Sequence, residues 1–335
     1  MTRGGTSNRE HQRGAALLLA LITVVLVATF ASAALWRSWR GVEVESAERA
    51  RIQASWILTG ALDWARLILM GDLSEGLQHP PVTDNLTEPW AVPLAEARLS
   101  TFLDSGAAGA QLDRNAFLSG QISDLQARLN VMNLTLGTAD QQAEARARFE
   151  RLFQAIGVSG NVLDTLQQGL INAQKAAIGA SQNDAPLLPV RFDQLAWLGV
   201  DPGTLLQLKP YVTVLPLQNN QPTPVNLNTA DAEVIYAALP DLDLTQAQQL
   251  VALRNQRPFT TVANALAQIN VTPQHVDWAS VSTGFFELKA RLRIDDVVVE
   301  EMAAVQRSNG VRGPMVVLLW RTHSALTLPT DRAPG

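Results

Sequence analysis

Residues 15–35 read AALLLALITVVLVATFASAAL, twenty-one positions without a charge. At about 1.5 Å of helical rise per residue the run covers about 31 Å, enough to cross a bilayer core of ~30 Å once. The fourteen residues before it, MTRGGTSNREHQRG, carry Arg3, Arg9 and Arg13 against one acid, Glu10. That basic flank predicts a cytoplasmic leader and an exported remainder. Arg37 and Arg40 weaken the argument by placing positive charge on the far side as well. A cleaved secretory signal has a shorter apolar core and ends at a small-x-small site, which Ala31-Ser32-Ala33 supplies. An uncleaved signal anchor fits the same stretch, and these residues alone leave both readings open.

Downstream, residues 36–72 read WRSWRGVEVESAERARIQASWILTGALDWARLILMGD, and no proline occurs between Ala15 and Met70. Apolar side chains recur at Trp56, Ile57, Leu62, Trp64, Leu67 and Ile68 with helical spacing. Glu45–Arg49 and Glu48–Arg51 are placed to pair along a helix. Gly41 and Gly60 each cost roughly 1 kcal/mol inside a helix, so bends or breaks are expected there, with Gly71 as a stop. One continuous helix and a membrane helix followed by a separate soluble one are both consistent with this pattern. Arg13-Gly14-Ala15 resembles the processing site of type IV pilin-like precursors. In that family the leader is cut after the glycine and the apolar segment remains as an anchor. The resemblance therefore makes Gly14 and Ala15 the flanks of the processed bond.

The composition bounds the rest. The chain has 335 residues, 26 Lys+Arg against 31 Asp+Glu, a net charge of −5, 47% hydrophobic and 17% charged residues. This suggests two or three domains with ample core, and it rules out global disorder. The acidic balance argues against a broad nucleic-acid surface. With no cysteine, disulfide frameworks and thiolate metal sites are excluded. His11, His79, His275 and His323 are scattered, without the spacing of a zinc site. There is no phosphate-binding glycine loop and no nucleophile elbow, so nothing marks an enzyme.

Local patterns then place the elements. Residues 72–93 are rich in Pro, Gly, Asn and Asp and read as a loop. Residues 120–134 predict two short strands or one bent strand. Thr138 and Gln141 form a capping-box pair before a helix that Gly157 closes. Further helices are expected over 162–180, 193–198, 244–257 and 261–269, with 205–217 partly strand. Asn228 or Thr229 is the expected cap for the helix in ADAEVIYAAL. Phe285–Ile294 alternates as a strand, and Val297–Gln306 and Met315–Trp320 complete an antiparallel meander with a turn at Asn309-Gly310. Asp295-Asp296 and Glu300-Glu301 are candidate metal ligands, although a turn and a solvated strand face explain them as well. The tail after His323 is expected to be disordered.

The segment PVNLNTADAEVIYAALPDLDLTQAQQLVALRNQRPFTTVANAL resembles a helix-hairpin-helix unit of the kind in bacterial DNA-uptake receptors. DNA-binding versions carry two glycines in the turn, whose amides approach phosphate. Here Asp241 and Asp243 stand in those places, and carboxylates repel phosphate. The module therefore reads as a packing scaffold, and nucleic acid as an unlikely partner. A membrane-anchored periplasmic DNA receptor is the alternative function.

Taken in order, the pilin-like start, Glu88-Pro89-Trp90-Ala91, Gly120-Gln121-Ile122-Ser123-Asp124, residues 128–134, residues 210–216 and Val225-Asn226-Leu227-Asn228-Thr229 resemble the general secretion pathway protein K family, the large minor pseudopilins of type II secretion. The resemblance implies an α+β fold: a long N-terminal helix, a small antiparallel sheet, and a large inserted α-helical domain with helix-hairpin-helix or SAM-like units. It implies a leader over 1–14, an anchor over 15–35, and helix plus first strands over 36–135. It places the insertion over 136–280, with the hairpin unit at 225–270, closing strands over 281–322 and a tail over 323–335. It implies a non-enzymatic tip subunit with minor pseudopilins I, J and H, prepilin peptidase and the inner membrane as partners. No cofactor is expected. The family suggests calcium, but residues 163–172 lack the acidic, Trp-containing stretch such a site needs. Most pilin-like proteins carry a glutamate five residues into the mature chain, and Leu19 occupies that place here. The substitution suits a subunit with no neighbour's amine above it to neutralise.

Overall fold

The computed structural model describes residues 7–99, 116–179, 185–272, 276–294 and 297–327. It divides into two units, Met1–Ile57 and Leu58–Gly335. One helix, α1 (Ser7–Gln78), begins in the first and ends in the second. The breaks expected at Gly41 and Gly60 and the stop at Gly71 do not occur, because all three lie inside α1. A glycine only weakens a helix, whereas proline removes its hydrogen bonding. The helix accordingly runs on until just before Pro80-Pro81, well into the stretch read as loop.

In the first unit, residues 15–46 of α1 are exposed on every face. In the second, Leu58, Leu62, Leu69 and Leu73 are buried. Their spacing places them on one stripe of the helix. Trp64 and Leu67 project from the opposite side and are 67% and 58% exposed.

Five strands form one antiparallel sheet: β1 (Leu94–Arg98), β2 (Ala116–Asp124), β7 (Phe285–Ile294), β8 (Val297–Gly310) and β9 (Gly313–Thr327), in the order β1-β2-β7-β8-β9. The β7 bounds are those expected from alternation, with Leu288, Ala290 and Leu292 buried and Lys289 and Arg291 exposed between them. The hairpin turn falls two residues later than expected. Asn309 and Gly310 pair with Pro314 and Gly313, leaving Val311-Arg312 as the loop. Gly313 supplies the positive φ of 106° that closes it. Strand β9 also continues to Thr327, so the tail reading fails for residues 323–327, while 328–335 lie outside the described residues. Asp295 and Asp296 also lie outside them. Glu300 pairs with Lys289 at 3.0 Å and the buried Glu301 with Arg321, so both glutamates serve the sheet.

Between β2 and β7 the chain makes a helical insertion: β3 (Leu129–Asn130), α2 (Ala139–Ile156), α3 (Gly160–Ala177), α4 (Pro202–Leu208), β4 (Val212–Thr213), β5 (Val225–Asn226), α5 (Ala232–Ala238), α6 (Leu244–Gln256), α7 (Val262–Ala267) and β6 (Ala279–Ser280). The capping box Thr138–Gln141 and the left-handed Gly157 bound α2 as the sequence predicts. Within 205–217, expected to be partly strand, Val212–Thr213 is strand, while 205–208 complete α4, because Asp201 caps Thr204 N at 3.0 Å and Pro202 occupies the first turn. The N-cap of α5 is Asp231, not Asn228 or Thr229. Those two side chains are engaged elsewhere. The Asn228 amide exchanges hydrogen bonds with Phe259, donating at 3.0 Å and accepting at 2.8 Å, and the Thr229 hydroxyl donates to Asp124 at 2.6 Å. Phe149, Phe153, Leu163, Leu166, Leu195 and Phe259 fill the core of the insertion.

Candidate functional site

The membrane-length segment comes first. Within α1 one apolar window passes the length and composition expected of a membrane span, and none of it is buried. Gly14 and Ala15, the expected processing residues, are consecutive residues of that helix, and Ala15 is exposed. Leu19, at the place of the pilin glutamate, is 68% exposed. A helix that is apolar on all sides has no face for water and fits lipid or the apolar helices of partners.

A second site lies where the end of α1 meets the sheet. The Arg307 guanidinium of β8 contacts Asp72 of α1 and Asp84 of the following loop at once. The same guanidinium donates to the Thr283 carbonyl at 3.1 Å, and Thr283 N donates to Asp84 at 2.8 Å. Its Cζ lies 4.7 Å from the Phe286 ring centroid, and Trp90 meets Phe286 edge-on at 5.1 Å. Glu88 accepts from Trp90 Nε1 at 2.5 Å and from Asn85 Nδ2 at 2.6 Å. Burial pushes the Asp72 and Asp84 carboxyls up, outweighing the nearby guanidinium. Burial also raises Glu88, to about 7, with Asp72 and Asp84 adding to it.

Asp72, Asp84 and Glu88 form the one group among the described residues with metal-like convergence. The positive charge they would ask of a cation is supplied by Arg307, so the arrangement is an internal ion-pair knot. The calcium suggested by resemblance does not fit residues 163–172. Asp164 is the only carboxylate there, and it binds Arg146 at 2.7 Å. Sequence reasoning missed the knot, apart from quoting Glu88-Pro89-Trp90-Ala91, because Asp72 and Arg307 stand 235 residues apart.

The helical hairpin α5–α6 carries a carboxylate at the start of its second helix. Asp243 caps α6, accepting from Gln246 N at 2.8 Å, while Gln246 Oε1 accepts from Asp243 N at 2.9 Å. A carboxylate thus stands at the helix N-terminus where an anion would bind. Two arginines of α2 take the hairpin's carbonyls. Arg148 donates to Ala238 O at 3.0 Å, and Arg151 donates to Tyr236 O at 3.0 Å and Leu242 O at 2.7 Å. The hairpin is therefore bound to α2 through its own backbone.

Comparison with known proteins converges on one family. Models of the family described as "Type II secretion system (T2SS), protein K" match residues 127–217 and 225–282. The type II secretion system protein K of Pectobacterium carotovorum subsp. carotovorum is 24% identical over 318 residues, covering 86% of this chain and 90% of that protein. Its namesake in Klebsiella pneumoniae is 27% identical over 283 residues, covering 77% and 80%. A chain in the crystal structure of the GspK–GspI–GspJ complex from enterotoxigenic Escherichia coli has the same fold, with a TM-score of 0.57 and 18% identity over 82% of this chain and 99% of that one. The two family models, the order of the matched segments and the coverage of these relatives agree: the chain is similar to the type II secretion system protein K family between residues 127 and 282, and to its members over most of its length.

Proposed function

We propose that this chain is a minor pseudopilin at the tip of a periplasmic pseudopilus, helping to initiate and cap its assembly for export of folded proteins across the outer membrane. The observation that carries the reading is α1. Its membrane-length run and its Trp64–Leu67 face are exposed, and the helix leads in sequence into a sheet with a helical insertion of the protein K kind. The segment 15–35 holds the subunit in the inner membrane in a single pass, with the leader cytoplasmic and the body periplasmic. Prepilin peptidase cuts between Gly14 and Ala15, and the new Ala15 amine is methylated. Leu19 fits a position with no subunit above it, since a lone carboxylate in lipid is costly.

The relative of known structure is described in complex with GspI and GspJ. By analogy, minor pseudopilins I and J pack along α1 here, and H joins below. The body then blocks addition above it, and the α5–α6 hairpin serves as a helix-hairpin-helix-like scaffold within an inserted domain. No catalytic step is required of the chain. Co-isolation from the inner membrane tests the reading. Wild type should bring down I and J, and Trp64→Glu/Leu67→Glu should lose both while the body unfolds at the wild-type temperature. An I–J pair that assembles in the membrane and never includes this chain would contradict the proposal.

A further inference from the structure

Directly after the apolar run the helix reads Trp36-Arg37-Ser38-Trp39-Arg40-Gly41. Trp36 and Trp39 are exposed, and the Arg40 guanidinium lies 5.4 Å from the Trp36 ring centroid. Arg37, Arg40, Gly41, Val44, Glu45 and Glu48 line a shallow notch on one helix face, with the two arginines at its membrane end. Nothing stands within 4 Å of where a Gly41 side chain would begin. Glu45 is taken by Arg49 at 2.5 Å, whereas neither Arg37 nor Arg40 has a carboxylate partner among the described residues.

We infer that this turn is a collar that binds the phosphates of anionic phospholipid headgroups. The inference rests on the reading of residues 15–35 as a membrane span. That span uses the hydrocarbon thickness, so the next turn lies at headgroup depth. Tryptophan prefers that depth, having an apolar body and a polar edge. A guanidinium offers two parallel N–H donors to a phosphate, and the missing side chain at Gly41 lets the phosphate approach the helix. Glu43, Glu45 and Glu48 follow, and their charges keep the next turns out of an anionic layer. The collar therefore marks the depth of the helix and adds to the barrier against its leaving the bilayer during assembly.

The test reconstitutes the full chain in vesicles of phosphatidylcholine mixed with phosphatidylglycerol. Spin-labelled analogues report how strongly each lipid associates with the protein. Wild type should prefer phosphatidylglycerol, and the preference should fall as salt rises. Arg37→Gln/Arg40→Gln should lose about fivefold or more of it, while Arg37→Lys/Arg40→Lys keeps most. Arg3, Arg9 and Arg13 act alike in all three chains and cancel in the comparison. An unchanged preference in the glutamine variant would overturn the collar and leave the span standing. A wild-type chain that fails to float with either vesicle would overturn both.

Discussion

Two stretches of the same helix treat leucine in opposite ways. Leu17, Leu18, Leu21 and Leu26 are about half exposed or more, whereas Leu58, Leu62, Leu69 and Leu73 are buried. Residue type is constant, and what differs is the pattern around it. The first stretch is apolar on every face, so the body has no side of it to choose. The second confines its buried leucines to a stripe and carries Asp63 and Arg66 elsewhere on its circumference. The striped segment forms one wall of the folded body, and the unstriped one is exposed on every face. Stability should therefore respond to the second stretch and membrane retention to the first.

The largest effect should come from Arg307→Ala. It leaves Asp72 and the fully buried Asp84 without their counter-charge, which should cost about 3–5 kcal/mol in denaturant unfolding. Wild-type stability in that variant would mean that the end of α1 is not tied to the sheet as described. Leu69→Ala should follow at about 2–5 kcal/mol, since Leu69 is wholly buried.

Titration gives a smaller signal with a definite sign. Unfolded Glu88 ionises near 4.5, while the folded chain holds that proton to about 7. Between those values the native state binds more protons, so this contribution is complete below about 4.5 and disappears as pH rises through 7. Asp72 and Asp84, raised by burial, act in the same sense. Glu88 keeps contact with solvent, and screening leaves about 1 kcal/mol for its share. Thermal unfolding should occur at higher temperature at mildly acid than at mildly alkaline pH, and Glu88→Gln should flatten the slope. A stability that climbs with pH over that range would contradict the account of the knot.

Asp243→Ala removes the cap of α6 and should cost about 1 kcal/mol. It should not create DNA binding, because Asp241 still stands where DNA-binding versions carry a glycine, and the alanine Cβ still blocks close backbone approach. The smallest effect belongs to Leu21→Ala, below about 0.5 kcal/mol on unfolding of the body. If Leu21→Ala and Leu69→Ala destabilised the body equally, the contrast between the two stretches would be wrong.

Local chemistry was the part legible in the sequence. Thr138, Gln141 and Gly157 act within a few residues of one another, and their motif bounded α2 as read. Strand β7 was legible because one buried face imposes strict alternation. The arrangement of a sheet interrupted by helices followed from the order of such segments. Glycines misled in both directions. Gly71 has the look of a stop, yet burial of Leu69 and Leu73 on either side carries the helix past it. Asn309-Gly310 has the look of a turn, yet both residues are paired in the ladder and Gly313 does the turning. The Arg307 knot and the Asn228–Phe259 exchange left no spacing to read, since each joins residues that only the folded chain brings together.

The N-terminus of the protein recovered from the inner membrane tests the central claim most directly. Mass spectrometry should find a chain beginning at Ala15, its amine methylated, with residues 15–35 retained. A product beginning at Ala34 and free of the membrane would contradict it, for the apolar run on which the proposed assembly rests would then be absent from the mature protein.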